Sequence, residues 1–208
     1  MIITYLGKQF FKISQGDLTV AFNPISKDSK LSSTVSKFGS DIALSTINHK
    51  DYNGFDMVSH GESVPFSVSG PGDYEVRDVY IKGVLSETNL DGKKYINTIY
   101  SVIIENISIC FLGAISDEKL SANAREQIAQ PDILFVPIGN NDLLDPAKAY
   151  KLATTFEPKI IIPMDYDDKM LKLFLKEAGQ DNAEYMDKLV IKAKDLAGKE
   201  NKIIVLNK

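Results

Sequence analysis

The sequence predicts an α+β fold in which β-sheets are covered by helices. In the first half, short alternating or apolar runs are separated by Gly, Asn, Asp and Pro, the pattern of consecutive strands. In the second half the apolar spacing becomes helical, and helices alternate with further strands. This order favours sheets with helices packed against them, and it leaves the loops at one sheet edge free to form a site.

Eight strands are expected in the first half of the chain. Glycine and asparagine in residues 15–17 and 105–107 tolerate the positive φ of tight turns, so hairpins are expected there. The expected strands are residues 2–5, 10–13, 18–22, 42–45, 66–68, 79–84, 98–105 and 107–111.

Three helices are expected in the second half. The first spans residues 117–129, with Ser116 as its N-cap and Pro131 beyond its end. The second begins with Asp145 as cap and Pro146 at the first helical position, and it continues to about residue 156. The third spans residues 168–178 and ends at Gly179. The remaining strands are expected at residues 132–137, 159–163, 189–193 and 203–206, with residues 194–202 connecting the last two.

Length and composition are typical of one globular domain, residues 1–208. Apolar residues make up 44% and charged residues 25%, and no linker divides the chain. The net charge of −4 argues against nucleic acid as a partner. Cys110 is the only cysteine, which excludes an intrachain disulfide and a thiolate zinc cluster. No apolar run is long enough for a membrane span and no signal peptide is evident, so a cytoplasmic location is expected.

The residues with the character of metal ligands lie in the segment 46–52, Thr-Ile-Asn-His-Lys-Asp-Tyr. His49 and Asp51 are its two ligand-type side chains. Because His60 is the only other histidine, a histidine-rich site cannot be completed from elsewhere in the chain. The polar segment 139–142 is expected to rim the same edge of the fold.

Short segments along the chain carry a family resemblance. They are Tyr-Leu-Gly at 5–7, Phe-Asn-Pro at 22–24, Gly-Pro-Gly-Asp-Tyr-Glu-Val at 70–76, Asn-Thr-Ile-Tyr at 97–100, Phe-Val-Pro-Ile-Gly at 135–139 and Pro-Lys-Ile-Ile-Ile-Pro-Met at 158–164. In this order they resemble the metallo-β-lactamase superfamily, in the branch of zinc-dependent hydrolases related to ascorbate-6-phosphate lactonase. The resemblance covers essentially the whole chain. It implies a four-layer αββα sandwich with a metal site at one edge, between the two sheets.

The resemblance also implies where the metal ligands would stand. In the loop His-x-His-x-Asp-His, His49 matches the second histidine and Asp51 the aspartate. The other positions are the first and last histidines of that loop, a histidine in a later loop, a bridging aspartate and a final histidine, and they hold Ile47, Tyr52, Thr88, Ala114 and Asp165. Because two metals with an activated water need nearly every ligand, a dinuclear site is not expected.

Three functional hypotheses remain open. The favoured one is a non-catalytic pseudoenzyme without a cofactor, which binds an unidentified ligand or protein partner. In it, Ile47 fills the former metal space and Asp51 bonds amides of its own loop. The alternative is a divergent hydrolase with one divalent metal, such as zinc, held by His49, Asp51 and Asp165. The third is a structural subunit of an oligomer, such as a homo-oligomer.

Overall fold

The computed structural model describes residues 1–32, 37–139 and 142–208, so Asn140 and Asn141 of the expected polar rim lie outside the described residues. Within these ranges the chain is dominated by strands. In chain order they are β1 (Ile2–Tyr5), β2 (Phe11–Gln15), β3 (Leu18–Phe22), β4 (Ile42–Leu44), β5 (Phe66–Val68), β6 (Gly72–Val76), β7 (Val79–Leu90), β8 (Lys93–Ile104), β9 (Ile107–Phe111), β10 (Ile133–Pro137), β11 (Ile160–Met164), β12 (Glu184–Met186), β13 (Lys188–Val190) and β14 (Lys202–Leu206).

The described helices are α1 (Ala122–Gln127), α2 (Pro146–Thr154) and α3 (Asp168–Glu177), with 3₁₀ turns at Phe55–Val58 and Ala193–Leu196. As expected, α2 begins with Pro146 at its first turn, and the side chain of Asp145 accepts a hydrogen bond from Lys148 N at 3.1 Å. The cap of α3 is Asp167, whose side chain accepts from Met170 N.

The strands form two mixed sheets that stack face to face. Sheet A has the order β13-β1-β2-β3-β4-β5, and sheet B has the order β12-β14-β11-β10-β9-β8-β7-β6. Strand β1 pairs with β2 on one side and with β13 on the other, where Ile2 lies opposite Val190. Aromatic side chains join the sheets: the rings of Phe22 and Phe111 stack at 4.8 Å between centroids, and Phe11 meets Phe135 edge-on at 4.7 Å.

The outer faces of the two sheets are covered differently. All three described helices contribute buried side chains to one apolar cluster on sheet B, including Ala124, Leu152 and Phe174. On sheet A the outer cluster is centred on Phe10 and Ile25 and includes Val58 of a 3₁₀ turn. The α+β sandwich expected from the sequence is confirmed, with irregular chain and a 3₁₀ turn forming the layer outside sheet A.

Several element bounds differ from the sequence prediction. Helix α1 starts after Ser121, whose hydroxyl accepts from Ala124 N at 3.1 Å, while the predicted cap Ser116 accepts from Asn89 N instead. Strands β7 and β8 extend well beyond their predicted ends as a long hairpin, whose turn is made by Asp91 (φ 51°) and a glycine (φ 70°). Consequently Thr88 lies in a strand, not in a loop. Strands β6 and β12 were not among the strands expected from the sequence.

Candidate functional site

The segment 46–52 follows β4 at one end of the sandwich, and buried amides hold it in place. The side-chain nitrogen of Asn23 donates to Thr46 Oγ1 at 3.0 Å and to Gln9 Oε1 at 3.1 Å, and its oxygen accepts from Thr46 N at 2.8 Å. Thr98 N donates to Thr46 O at 2.7 Å, which ties the segment to β8. Since every polar group of the Asn23 side chain is engaged, the start of the segment is fixed relative to both sheets.

His49 and Asp51 lie side by side in this segment. Asp51 N donates to His49 Nδ1 at 3.3 Å, and Asp51 Oδ1 accepts from Ser29 Oγ at 2.6 Å. The carboxylate therefore binds a hydroxyl of another loop, whereas the sequence suggested amides of its own loop. On its other side, His49 Nε2 lies 3.6 Å from Asp91 Oδ2 in the turn of the β7–β8 hairpin.

Lys8 lies between the two acidic residues of the site. Its Nζ is 3.6 Å from Asp51 Oδ2 and 3.9 Å from Asp165 Oδ1, and 5.1 Å from the centre of the Tyr52 ring. Both Lys8 (φ 54°) and Asp165 (φ 55°) have left-handed backbone conformations, and Asp165 N donates to Lys8 O at 2.8 Å. The β1–β2 turn and the end of β11 are thus joined through backbone and side chains at the same point.

Two neutral donors also contact Asp165. Tyr52 OH lies 3.3 Å from Asp165 Oδ2, and Gln9 Nε2 donates to the same oxygen at 3.1 Å. Burial raises the pKa of the Tyr52 hydroxyl well above its ordinary value, and the nearby negative charge of Asp165 raises it further. The Tyr52 hydroxyl therefore keeps its proton and acts as a donor at neutral pH.

At three of the five positions where the resemblance implies other ligands, the side chains pack in one cluster. Ile47, Tyr52 and Ala114 belong to a single buried apolar cluster, completed by Leu90 and Leu143. That Ile47 fills a former metal space stays a prediction; the structure shows that its side chain lies in this apolar cluster. Thr88 is not in this cluster: it lies opposite Tyr95 in the β7–β8 hairpin, only 2% exposed.

The residues present do not fit a pair of metal ions. Ile47 and Ala114 offer no donor atom, and the ammonium of Lys8 stands between the two carboxylates. Across residues 1–32, 37–139 and 142–208, no group of three or more His, Cys, Asp or Glu side chains is placed to hold a metal. The mononuclear set of His49, Asp51 and Asp165 stays a prediction; any ion there would have to displace Lys8.

Two recesses lie near the changed positions. A cleft of about 290 Å³ opens beside Lys8 and is also lined by Tyr5, Asp165 and Tyr166. Burial raises the pKa of the Tyr166 hydroxyl to about 12. A larger cavity of about 510 Å³ lies between β7 and the residues leading into α1, and Thr88 is among its lining residues. In the part of the chain that the structure describes, no helix has the length and apolarity needed to cross a membrane.

Comparison with known proteins relates this chain to the β-lactamase superfamily. The family described as "Beta-lactamase superfamily domain" matches residues 2–165. A protein from Thermotoga maritima, assigned as a Zn-dependent hydrolase of the metallo-β-lactamase superfamily, is 27% identical; the match covers 99% of this chain and 97% of that one, with a TM-score of 0.76.

More distant structures share the fold alone. The metallo hydrolase Igni18 from Ignicoccus hospitalis is 16% identical over 92% of this chain and 99% of that one, with a TM-score of 0.60. A protein from Parabacteroides distasonis, assigned as a metal-dependent hydrolase, is 18% identical over 86% of this chain and 90% of that one, with a TM-score of 0.63. No curated protein matches the chain.

Proposed function

This chain belongs to the β-lactamase superfamily and has the metallo-β-lactamase fold, and from that premise we propose that it is a non-catalytic member acting as a binding or assembly module. The observation that carries the proposal is the position of Lys8, whose ammonium lies between Asp51 and Asp165. The positive charge of Lys8 thereby offsets part of the negative charge of two carboxylates that would otherwise attract a metal ion.

An ammonium group supplies one positive charge but not the chemistry of a metal ion. A metal ion accepts the lone pair of a water molecule and lowers the pKa of that water, which produces a nucleophile at neutral pH. Lys8 has no vacant orbital and can only donate hydrogen bonds or attract negative charge. The apolar packing of Ile47 with Ala114 leaves no further donor atoms at those two positions. Together these features support a scaffold without hydrolytic activity.

Metal content and thermal stability test the proposal together. The purified protein should contain zinc, manganese and iron far below one ion per chain by elemental mass spectrometry. Added Zn²⁺ or Mn²⁺ should leave its melting temperature unchanged, because an ion that bound only the folded state would raise it. Stoichiometric metal, together with hydrolysis of a lactone, phosphodiester or ester that is lost in Asp51→Ala, would overturn the proposal.

A mononuclear hydrolase is the second candidate. It is favoured by one observation: two carboxylates already converge on a single cation, and His49 Nδ1 lies 3.9 Å from Asp51 Oδ2. In this candidate His49, Asp51 and Asp165 would hold one divalent ion in place of the Lys8 ammonium. Absence of any thermal shift at high concentrations of divalent ions would refute it.

Assembly into a homo-oligomer is a separate form of the proposed role. Light scattering of the purified chain measures it directly, and a strictly monomeric particle at all concentrations would exclude self-assembly while leaving the binding role in place.

A further inference from the structure

Strand β6 is the last strand of sheet B, and in the part of the chain that the structure describes no strand pairs with its other side. It is joined to β7 by a two-residue turn, Arg77 (φ 51°) and Asp78 (φ 60°), and Val76 lies opposite Val79. In such a hairpin the two residues that flank the turn form a hydrogen-bonded pair. Strand β6 is therefore an edge strand whose pairing with β7 has a defined register.

This register identifies the backbone groups that point away from β7. Hydrogen-bonded and non-hydrogen-bonded pairs alternate along an antiparallel ladder. Counting from Val76, residues 73 and 75 belong to the non-hydrogen-bonded pairs. The N–H and C=O groups of Asp73 and Glu75 therefore face the open side of the sheet, where an added strand can pair with them.

The outer face of β6 is acidic. Tyr74 and Val76 are partly buried against the core between the sheets. Because side chains alternate along a strand, Asp73 and Glu75 project from the opposite face, where both are exposed. Lys82 lies opposite Asp73 and is one cation beside two carboxylates. The outer face of this edge therefore has an excess of negative charge.

The inner face of β6 ends in an exposed aromatic contact. Phe66 belongs to β5, which is the edge strand of sheet A, and its side chain is 46% exposed. The ring of Phe66 meets the ring of Tyr74 edge-on, with 6.3 Å between centroids. A strand added beside β6 would place every second side chain next to these rings, and apolar side chains at those positions would cover them.

The charge of this edge disfavours a second copy of the chain as the added strand. In an antiparallel pair of two β6 strands related by a two-fold axis at residue 74, the acidic residues of one copy would face those of the other. Like charges directly opposite each other are destabilising, whereas a lysine or arginine opposite Asp73 or Glu75 would form an ion pair. Charge complementarity therefore selects a basic partner.

We propose that the free edge of β6 binds an extended segment of a partner protein in which lysine or arginine alternates with apolar residues. The segment pairs antiparallel with β6. Its basic side chains lie opposite Asp73 and Glu75, and its apolar side chains lie beside Tyr74 and Phe66. The inference rests on the proposed binding role, and it names the surface and the chemistry of the partner.

An NMR titration of the full chain tests the proposal, with a short capped peptide that alternates lysine with valine as the probe. The peptide should cause saturable shifts of the backbone amides of Asp73 and Glu75. Hydrogen exchange of these two amides should slow about tenfold at a peptide concentration about ten times the dissociation constant. Exchange of the Tyr74 amide should change little, because its N–H is already bonded to β7.

Modified peptides separate backbone pairing from charge attraction. Residues opposite Asp73 and Glu75 form hydrogen-bonded pairs with them, so the lysine N–H groups of the peptide point at β6. N-methylation of the lysine nitrogens should therefore abolish binding, and N-methylation of the valine nitrogens should be tolerated. A peptide with glutamate in place of lysine should bind about tenfold more weakly or worse.

Paired variants of the chain test the charges. Asp73→Asn combined with Glu75→Gln should weaken binding of the lysine peptide about three- to tenfold. Glu177→Gln combined with Asp181→Asn is the matched control, because it removes the same charge from exposed positions at the end of α3. This control should bind the peptide as the native chain does.

The proposal is overturned if the lysine peptide causes no saturable shifts, if the two methylated peptides bind equally, or if the two double variants bind equally. Protection of the Asp73 and Glu75 amides that grows with protein concentration, without peptide, would identify a second copy as the occupant and would also overturn it. Metal content and hydrolysis are measured on the same sample, so failure of the non-catalytic role is distinguishable from failure of peptide binding.

Discussion

Replacement of Lys8 by methionine tests whether the internal ion pair holds the site together. The substitution keeps an unbranched side chain of similar length and removes the charge. Asp51 and Asp165 would then face each other without the cation that lies 3.6 Å and 3.9 Å from their oxygens. We expect the free energy of unfolding to fall because both carboxylates remain largely buried.

The magnitude follows from distance and burial. Opposite charges about 4 Å apart attract by roughly 4 kcal/mol at an effective dielectric constant of about 20. The side chains of Lys8, Asp51 and Asp165 are 13%, 18% and 7% exposed, so solvent screens them only partly. Removing one partner of a fully buried pair costs about 3–5 kcal/mol, and desolvation of the lysine offsets part of the attraction. We expect a loss of about 2–3 kcal/mol, or about 4–12 °C in melting temperature for a chain of this length.

Urea unfolding and calorimetry at pH 7 measure this loss, with Lys12→Met as the matched control. Lys12 also lies over an aromatic ring, 4.8 Å from the centre of Phe38, so the control removes a similar cation–π contact. Zn²⁺ or Mn²⁺ should restore part of the melting temperature of Lys8→Met and leave the native chain unchanged. Equal stability of the two variants would refute the structural role of the Lys8 ion pair.

The other predictions concern positions away from Lys8. Gly113→Ala should lower the free energy of unfolding in urea by at least about 3 kcal/mol, because φ is +70° and a Cβ would lie 2.5 Å from a buried amide oxygen. Gly16→Ala, which has open space around it, should lower it by about 1 kcal/mol. Burial of the Asp132 carboxyl raises its pKa, but hydrogen bonds from Lys159 and a serine outweigh this effect. The pKa of Asp132 therefore lies below its usual range. The ionised Asp132 stabilises the folded chain above its unfolded-state pKa of about 4, and this contribution is lost as the pH falls through its folded-state pKa. The difference in free energy of unfolding between the native chain and Asp132→Asn should therefore disappear in acid. An equal gap at pH 7 and in acid would contradict this. Burial raises the pKa of the Cys110 thiol to about 12, so a thiol reagent should label Cys110 only after unfolding.

The fold was predictable from the sequence because its signals are local. Alternation and turn residues located most strands, and capping residues located α2 and α3. The long β7–β8 hairpin was missed in part because residues 86–89 are mostly polar and resemble a loop. Their strand structure comes from pairing, as in Thr88 opposite Tyr95, and pairing partners are not visible in one segment. Helix α1 was predicted too early because Ser116 and Ser121 are equally good N-caps in sequence.

Only the missing metal ligands of the site were predictable from the sequence. Ile47 and Ala114 are apolar in any context, so the absence of donor atoms could be inferred at once. Lys8 was not predicted, because nothing in its neighbours indicates that its ammonium meets Asp51 and Asp165. A lysine in the turn between two strands is usually a surface residue. The contact depends on the three-dimensional position of the end of β11, which sequence patterns do not give.

The pairing of β1 with β13 has a consequence for synthesis of the protein. The first strand of the chain hydrogen-bonds to β2 on one side and to a strand near residue 190 on the other. Until that late strand has left the ribosome, the second edge of β1 has unpaired backbone groups, which are a template for association with other chains. The yield of folded protein should therefore depend on how soon β13 follows, and a pause in translation before residue 188 should favour aggregation.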